Sequence, residues 1–186
     1  MVSYSTGWSF LEPLIYKKEF KHLAEISKEL HSPHATVRQY LNSFEKKGVV
    51  FKQIKGRMTM YKLQVLNPLI INYLSVIEKE KLTNLAEKDL VLKEIVHFLY
   101  ANTSGKVIIF GSSVNNTTKA DDIDVIIAGE IDSKVVKEFE KKFGVKFHII
   151  LLEDLTEVSE TLKEEIINKH LIIQDCEEVI KWMLKN

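Results

Sequence analysis

The chain has a single cysteine, Cys176, among its 186 residues. That excludes an intrachain disulfide and any zinc site built on several thiolates, and it fits a reducing compartment. Three prolines and seven glycines are too few for Pro-rich or Gly-rich linkers, and no repeat or low-complexity tract interrupts the chain. No apolar run approaches the length needed to cross a bilayer, and the first residues lack the basic, apolar and small-residue succession of a signal peptide. A soluble, cytoplasmic protein with no membrane partner is expected. Neither sign of charge is in excess: 26 Lys and Arg balance 26 Asp and Glu, so the whole molecule has no bulk attraction for polyanions.

The charge that is present is unevenly placed. Residues 1 to 66 carry eleven basic against five acidic side chains, a net +6, which leaves fifteen against twenty-one, a net −6, for the remainder. Two halves of opposite sign are expected to meet different partners. The division expected is a domain over residues 1–66, a helical connector over 67–85 and a second domain over 86–186.

Trp8, Phe10, Leu11, Leu14, Ile15 and Phe20 are spaced loosely like a helix face, with Pro13 in the first turn or breaking it. Leu23, Ile26 and Leu30 predict a short amphipathic helix over 22–30 that His31 closes. Ser32 and Pro33 open the next helix, as a cap and a first-turn proline. Val37, Tyr40, Leu41 and Phe44 then form a buried stripe, and Lys46, Lys47 and Gly48 end the helix. The stripe leaves His34, Thr36, Arg38, Gln39 and Asn42 facing outward, side chains able to donate to phosphates and read base edges. Strand-like runs 49–54 and 58–65 flank Lys55-Gly56-Arg57, a hairpin with a basic tip.

Helix, helix and basic hairpin resemble a winged helix-turn-helix domain over about residues 8–66. The resemblance implies DNA binding by the outward face of the second helix and by Lys55 and Arg57 of the wing, and it admits a homodimer. Protein docking is the alternative use of such a domain. His22, His31 and His34 lack companion ligands at metal spacing and read as surface or capping residues.

After Asn67-Pro68, helices are expected over about 68–82 and 85–100, the charged run Glu78 to Lys81 following the apolar residues of the first and Ser104-Gly105 following the second. Lys106 to Phe110 is then a short β-branched run, a buried strand. It leads into Gly111-Ser112, where a glycine lets backbone N–H groups approach a phosphate, the serine adds a donor, and a helical turn begun at Ser113 would add favourable charge. Asp122-Ile123-Asp124 opens the next strand. Alternation places both carboxylates on one face and Ile123 and Val125 in the core, an arrangement suited to magnesium. Asp121 reads as structural.

An apolar strand, Gly-Ser, a short spacer and Asp-x-Asp within a second strand resemble the nucleotidyltransferase superfamily that includes DNA polymerase beta, and more narrowly its minimal members. The resemblance covers about residues 86–160. It implies an α+β fold with a mixed sheet and helices on one side. Gly111, Ser112 and Ser113 would hold the triphosphate of ATP or another nucleotide, and Asp122 and Asp124 would bind Mg2+. The implied reaction moves a nucleoside monophosphate, AMP from ATP, to a hydroxyl. Minimal members that modify a toxin on tyrosine make a protein acceptor one expectation.

Two departures stand out. The family's third carboxylate falls on the strand after the helix over 132–143 and its Gly144 stop, and there this chain has His148. A neutral imidazole accepts a proton or binds a metal but brings no negative charge. The Arg and Gly that relatives carry after Gly-Ser are replaced by Asn115 and Asn116. The competing reading is a DNA-binding regulator whose second domain senses nucleotide without turnover. In the tail, a helix over 155–170 ending at His170, a short strand 171–173 and a helix over 177–184 are expected, with Cys176 a packing residue.

Overall fold

The computed structural model describes residues 7–17, 19–114 and 122–185. Asn115, Asn116 and Asp121, singled out above, lie outside them. The chain is α+β, and it divides into two compact units, Met1–Ile77 and Glu78–Asn186.

In the first unit a 3-10 helix, Trp8–Leu14, takes the place of the expected α-helix, with Pro13 inside it. A 3-10 turn suits this segment because proline removes a donor that a longer helix would need. Strand β1 (Lys21–His22) leads into α1 (Leu23–Glu29). His22 caps α1: its Nδ1 accepts from Ala24 N–H at 3.2 Å, and its own N–H donates to Glu25 at 2.8 Å. His31 follows with a left-handed φ of 47°.

Helix α2 spans His34–Lys46 and buries Val37, Leu41 and Phe44. Its N-cap is Pro33 and not Ser32, whose hydroxyl instead donates to the carbonyl of Leu30. Strands β2 (Val50–Lys55) and β3 (Met58–Leu63) pair antiparallel up to Lys55 and Met58, so Gly56 and Arg57 form the turn. β1 adds a third strand, giving the order β1-β3-β2. Trp8 stacks on Phe44 at 5.2 Å, and Lys47 lies over the same indole.

Helix α3 (Ile70–Ala86) carries the boundary between the units. The charged run Glu78 to Lys81 lies within α3, which continues to Ala86, and Glu78 is buried at 3% exposure. The explanation is long-range: Glu78 Oε1 lies 3.3 Å from His170 Nε2, a residue equally buried. The following helix, α4 (Leu90–Asn102), starts later than residue 85, where Asp89 accepts from the N–H groups of Val91 and Leu92.

Strand β4 (Thr103–Phe110) begins three residues earlier than expected and takes Ser104 and Gly105 into the ladder. Then come β5 (Ile123–Ile131), α5 (Ser133–Phe143), β6 (Phe147–Leu152), α6 (Glu160–Asn168), β7 (His170–Gln174) and α7 (Cys176–Leu184). The sheet has the order β6-β5-β4-β7; β5 and β6 are parallel, and the other two pairings are antiparallel. The parallel pair needs a crossover, which α5 supplies. Asp132 caps its start, and Gly144, at φ 66°, ends it.

One sheet face, with Val107, Ile109, Val125, Ile127 and Leu171, packs against Leu92, Ile95 and Leu99 of α4 and Val136 of α5. Phe98 stacks on Phe139 at 4.1 Å within the same layer. The alternate residues Ile108, Ile126 and Ile172 are buried too, and α7 lies against β4 and β7. Helices therefore cover both faces, not one, as apolar runs without alternation require.

The tail differs from its expected form at one helix. Leu155–Glu157 is a separate 3-10 turn, capped by Asp154, ahead of α6. His170 ends no helix but opens β7, buried at 3% with Nδ1 2.8 Å from the carbonyl of Ile166. Asp154 also pairs with Lys106 at 3.0 Å. The N–H of Thr156 and the Lys106 ammonium hold its carboxyl down from 3.8 to about 2.

Candidate functional site

The site candidates of the second unit gather at one end of the sheet. Phe110, the last residue of β4, is the register partner of Asp124 on one side and of His170 on the other; Asp124 in turn pairs with His148. His148, Asp124, Phe110 and His170 thus form one row across all four strands. Register partners share a face, and this is the face opposite Ile123 and Val125, which are buried at 1% and 0% exposure. Asp122 precedes β5 and is exposed.

Gly111 follows Phe110 with φ 75°. A Cβ at this position would stand 2.9 Å from Asp124 Oδ2, closer than carbon and oxygen tolerate without displacement. Glycine is required here for the left-handed backbone, and a Cβ would make the tip of the Asp124 side chain shift. Gly111 to Val114 form a 3-10 turn; the helical turn expected from Ser113 extends over Asn115 and Asn116, outside the described residues. Ser112 is exposed, whereas Ser113 is fully buried and donates its hydroxyl to the carbonyl of Phe110 at 3.1 Å. Of the two serines, only Ser112 presents its side chain outward.

The other oxygen of Asp124 is also engaged. Oδ1 lies 3.0 Å from His148 Nδ1, with the imidazole 63% exposed and the aspartate side chain 24% exposed. An ionised carboxylate only accepts, so a neutral ring in this contact carries its proton on Nδ1 and turns an unprotonated Nε2 to solvent. The start of β6 is anchored by two hydrogen bonds. Ile123 N–H donates to the carbonyl of Lys146 at 2.8 Å, and Phe147 N–H donates to Glu140 at 2.8 Å.

The donor set suits a hard divalent cation in part. Asp122 and Asp124 supply oxygens, and the Gly111 cradle leaves Asp124 Oδ2 clear of carbon. Among the described residues no cluster of three His, Cys, Asp or Glu could hold a metal by itself. Magnesium is commonly held by one or two carboxylates together with substrate phosphates, so the site fits that ion only with a phosphorylated ligand beside it.

Sequence reasoning misses Lys169. Its carbonyl accepts from Gly111 N–H at 3.2 Å, and its Nζ lies 3.3 Å from the carbonyl of Ser112. No motif marks a lysine between a helix and a strand; only the β4–β7 pairing brings it to the turn.

A family model described as a nucleotidyltransferase domain matches residues 89–182. The chain belongs to the nucleotidyltransferase-domain family. The matched stretch of this nucleotidyltransferase domain runs from the cap of α4 into α7 and contains the row of site residues. No curated protein matches the chain. Among solved structures, a mutant of the toxin-antitoxin MntA-HpeT is similar at 13% identity and a TM-score of 0.36, over 50% of this chain and 79% of that one. TrmBL2, an archaeal chromatin protein whose structure is described as showing a novel mode of DNA binding, is similar at 16% identity and a TM-score of 0.30, over 86% of this chain and 70% of that one. Likenesses this distant assign no property to this chain.

The residues singled out for nucleic acid lie on the first unit. His34, Arg38 and Gln39 are exposed on α2, and Thr36 is half-buried. Asn42 is already engaged: its Oδ1 accepts from Lys52 of β2 at 3.1 Å, and Lys52 also meets Glu45 at 3.3 Å. Lys55 and Arg57 are exposed at the hairpin tip. Of the residues singled out, Lys55 and Arg57 at the hairpin and Arg38 on α2 are exposed cations, and Lys52 is held by Asn42 and Glu45 of α2.

Proposed function

We propose that the chain is a Mg2+-dependent nucleotidyltransferase that moves a nucleoside monophosphate, AMP from ATP, to a hydroxyl acceptor on a protein, nucleic acid or small molecule. Membership of the family supports the reaction class. The observation that carries the reading is the fit of Asp124 Oδ2 against Gly111, where a Cβ would come within 2.9 Å. It sets a carboxylate against a turn whose glycine permits a phosphate to approach the backbone.

In this reading Gly111 and Ser112 seat the triphosphate, and Asp122 and Asp124 face the α-phosphate. The two aspartates would hold a divalent cation, which would supply charge neutralisation for the phosphates and for departing pyrophosphate. The acceptor oxygen bonds to the α-phosphorus as the bond from that phosphorus to the bridging oxygen breaks. The hydroxyl proton passes to Nε2 of His148, which Asp124 orients through Nδ1. Most of the catalytic effect then comes from position and preorganised charge.

The first unit, in the same reading, is a winged helix-turn-helix that binds nucleic acid through Arg38 and Gln39 of α2 and Lys55 and Arg57 of the hairpin, with a homodimer as the form that reads DNA. The protein is read as cytoplasmic; among the described residues no helix is long and apolar enough to cross a membrane.

A second reading is favoured by one observation: a histidine in contact with Asp124 where relatives have a third carboxylate. The unit would then bind nucleotide without turnover and report it to a DNA-binding domain. Incubation with Mg2+, α-labelled ATP, CTP, GTP or UTP and cell lysate as acceptor source separates the two. Label transfer and pyrophosphate release that vanish in Asp122→Ala and Asp124→Ala support the enzyme. Nucleotide binding without release, together with nucleotide-dependent DNA affinity, supports the sensor.

A further inference from the structure

Lys169 sits between α6 and β7 as the C-cap residue of the helix. A lysine in that position ordinarily turns its ammonium onto the open carbonyls of its own helix. Here the backbone does that work, since Lys169 N–H donates to the carbonyls of Glu165 and Ile166 at 3.1 Å. The side chain goes elsewhere. Phe110 and His170 are register partners, so the residues next to them, Gly111 and Lys169, meet where the β4–β7 ladder ends. Gly111 N–H donates to Lys169 O at 3.2 Å, and Lys169 Nζ reaches the carbonyl of Ser112 at 3.3 Å.

The ammonium is therefore fixed at the Gly111-Ser112 turn by contacts through both its own backbone and its side chain. Its hydrogen-bond partner is a carbonyl, so among the described residues no formal charge is paired with it there. Lys21, Lys52, Lys81, Lys106 and Lys181 each lie within 4.0 Å of a carboxylate, whereas among the described residues no carboxylate stands that close to Lys169 Nζ. An ammonium has three donors; one engages Ser112 O, and two remain. A divalent cation on the aspartates at the same sheet end would offset charge beside the reacting phosphate, and the phosphates beyond it would still need a cation on the turn.

We infer that Lys169 binds the phosphates beyond the reacting one, the β- and γ-phosphates of a nucleoside triphosphate seated on Gly111-Ser112, and thereby sets the preference for a triphosphate over a monophosphate. This rests on the nucleotide reading of the site. A point-charge donor suits phosphates that must leave together as pyrophosphate, because it holds them by charge and imposes no bidentate geometry on them.

Calorimetric titration of the full chain with ATP and with AMP, both with Mg2+ present, tests the inference. Lys169→Met keeps length and removes charge; Lys169→Gln keeps a donor for Ser112 O and removes charge; Lys169→Arg keeps charge. The two neutral variants are expected to lose roughly tenfold or more in ATP affinity while AMP affinity changes by less than about twofold, as loss of charge-assisted bonds to the outer phosphates predicts. Lys169→Arg is expected to retain most of the ATP preference. A merely structural role would weaken both ligands alike, so an unchanged ATP-to-AMP ratio in Lys169→Gln would overturn the role of Lys169 while leaving the nucleotide site standing. Failure of the unaltered chain to bind any ATP would overturn the nucleotide reading and Lys169's role with it.

Discussion

His148 Nδ1 lies 3.0 Å from Asp124 Oδ1 because the two are register partners in the parallel ladder between β5 and β6. Restoring an acid at that position is therefore informative. His148→Asp places a second carboxylate beside Asp124, and like charges at this range repel. The metal-free variant is expected to melt below the unaltered chain. Added Mg2+ should reverse that order, with Mg2+ affinity in the presence of ATP rising roughly tenfold from the extra charge. Equal Mg2+ affinity in the two proteins would remove this position from the metal site.

Gly111 carries a left-handed backbone and faces Asp124 Oδ2. Gly111→Ala is expected to cost about 1–2 kcal/mol of stability from the backbone alone. It should cost more in ATP binding, because the new methyl displaces the carboxylate and blocks the phosphate approach. Denaturant unfolding paired with ATP titration checks both. A variant destabilised by that amount but binding ATP normally would detach the turn from the ligand.

Asp154 lies away from the row of site residues and gives a pH signature of folding. Its carboxyl is held down from 3.8 to about 2 by the N–H of Thr156 and by Lys106. A carboxyl more acidic in the folded chain than in the unfolded one binds fewer protons when folded, so its stabilisation is complete above pH 3.8 and disappears as pH falls towards 2. Urea midpoints measured across that interval should fall less steeply for Asp154→Asn than for the unaltered chain. The difference is small, because the group is exposed and solvent screens it. Parallel pH profiles would contradict the assignment.

Lys55 and Arg57 stand exposed at the tip of the β2–β3 hairpin. If they meet phosphates, Lys55→Ala/Arg57→Ala should weaken DNA binding evenly across sequences and lower the slope of log affinity against log salt by about 1 to 2. Arg38→Ala and Gln39→Ala should instead reduce discrimination between sequences. An unchanged salt slope in the hairpin variant would exclude phosphate contacts by the tip.

The features readable from the sequence are those whose causes are local. The stripe of Val37, Leu41 and Phe44, the stop at Gly144 and the alternation around Ile123 each depend on neighbours within a turn or two, and each has its expected place in the fold, whereas Tyr40, expected in the same stripe, is only half-buried. What escapes the sequence depends on chain-distant partners. β1 is two residues long and exists because Lys21 and His22 pair with Tyr61 and Met60. Glu78 reads as part of a solvated charged run but is buried because His170, far along the chain, lies against it.

The site divides in the same way. Gly111, Ser112, Asp122 and Asp124 are visible as a motif, and the position of His148 follows from counting along β6. Ser113 shows why a motif does not specify orientation: its hydroxyl closes the turn onto Phe110 O. Lys169 has no local signal at all, since its place beside Ser112 depends on the pairing of β4 with β7.

The central claim, a nucleotide site built on Gly111, Asp122 and Asp124 whose two aspartates would hold Mg2+, is tested most directly by ATP titration with and without chelator. The unaltered chain is predicted to bind ATP in Mg2+ and to lose at least about tenfold in affinity on chelation, the scale expected when a charge-assisted bridge is removed. Asp122→Ala and Asp124→Ala should show the weak affinity under both conditions. ATP binding of equal strength in all three proteins, indifferent to Mg2+, would contradict the account.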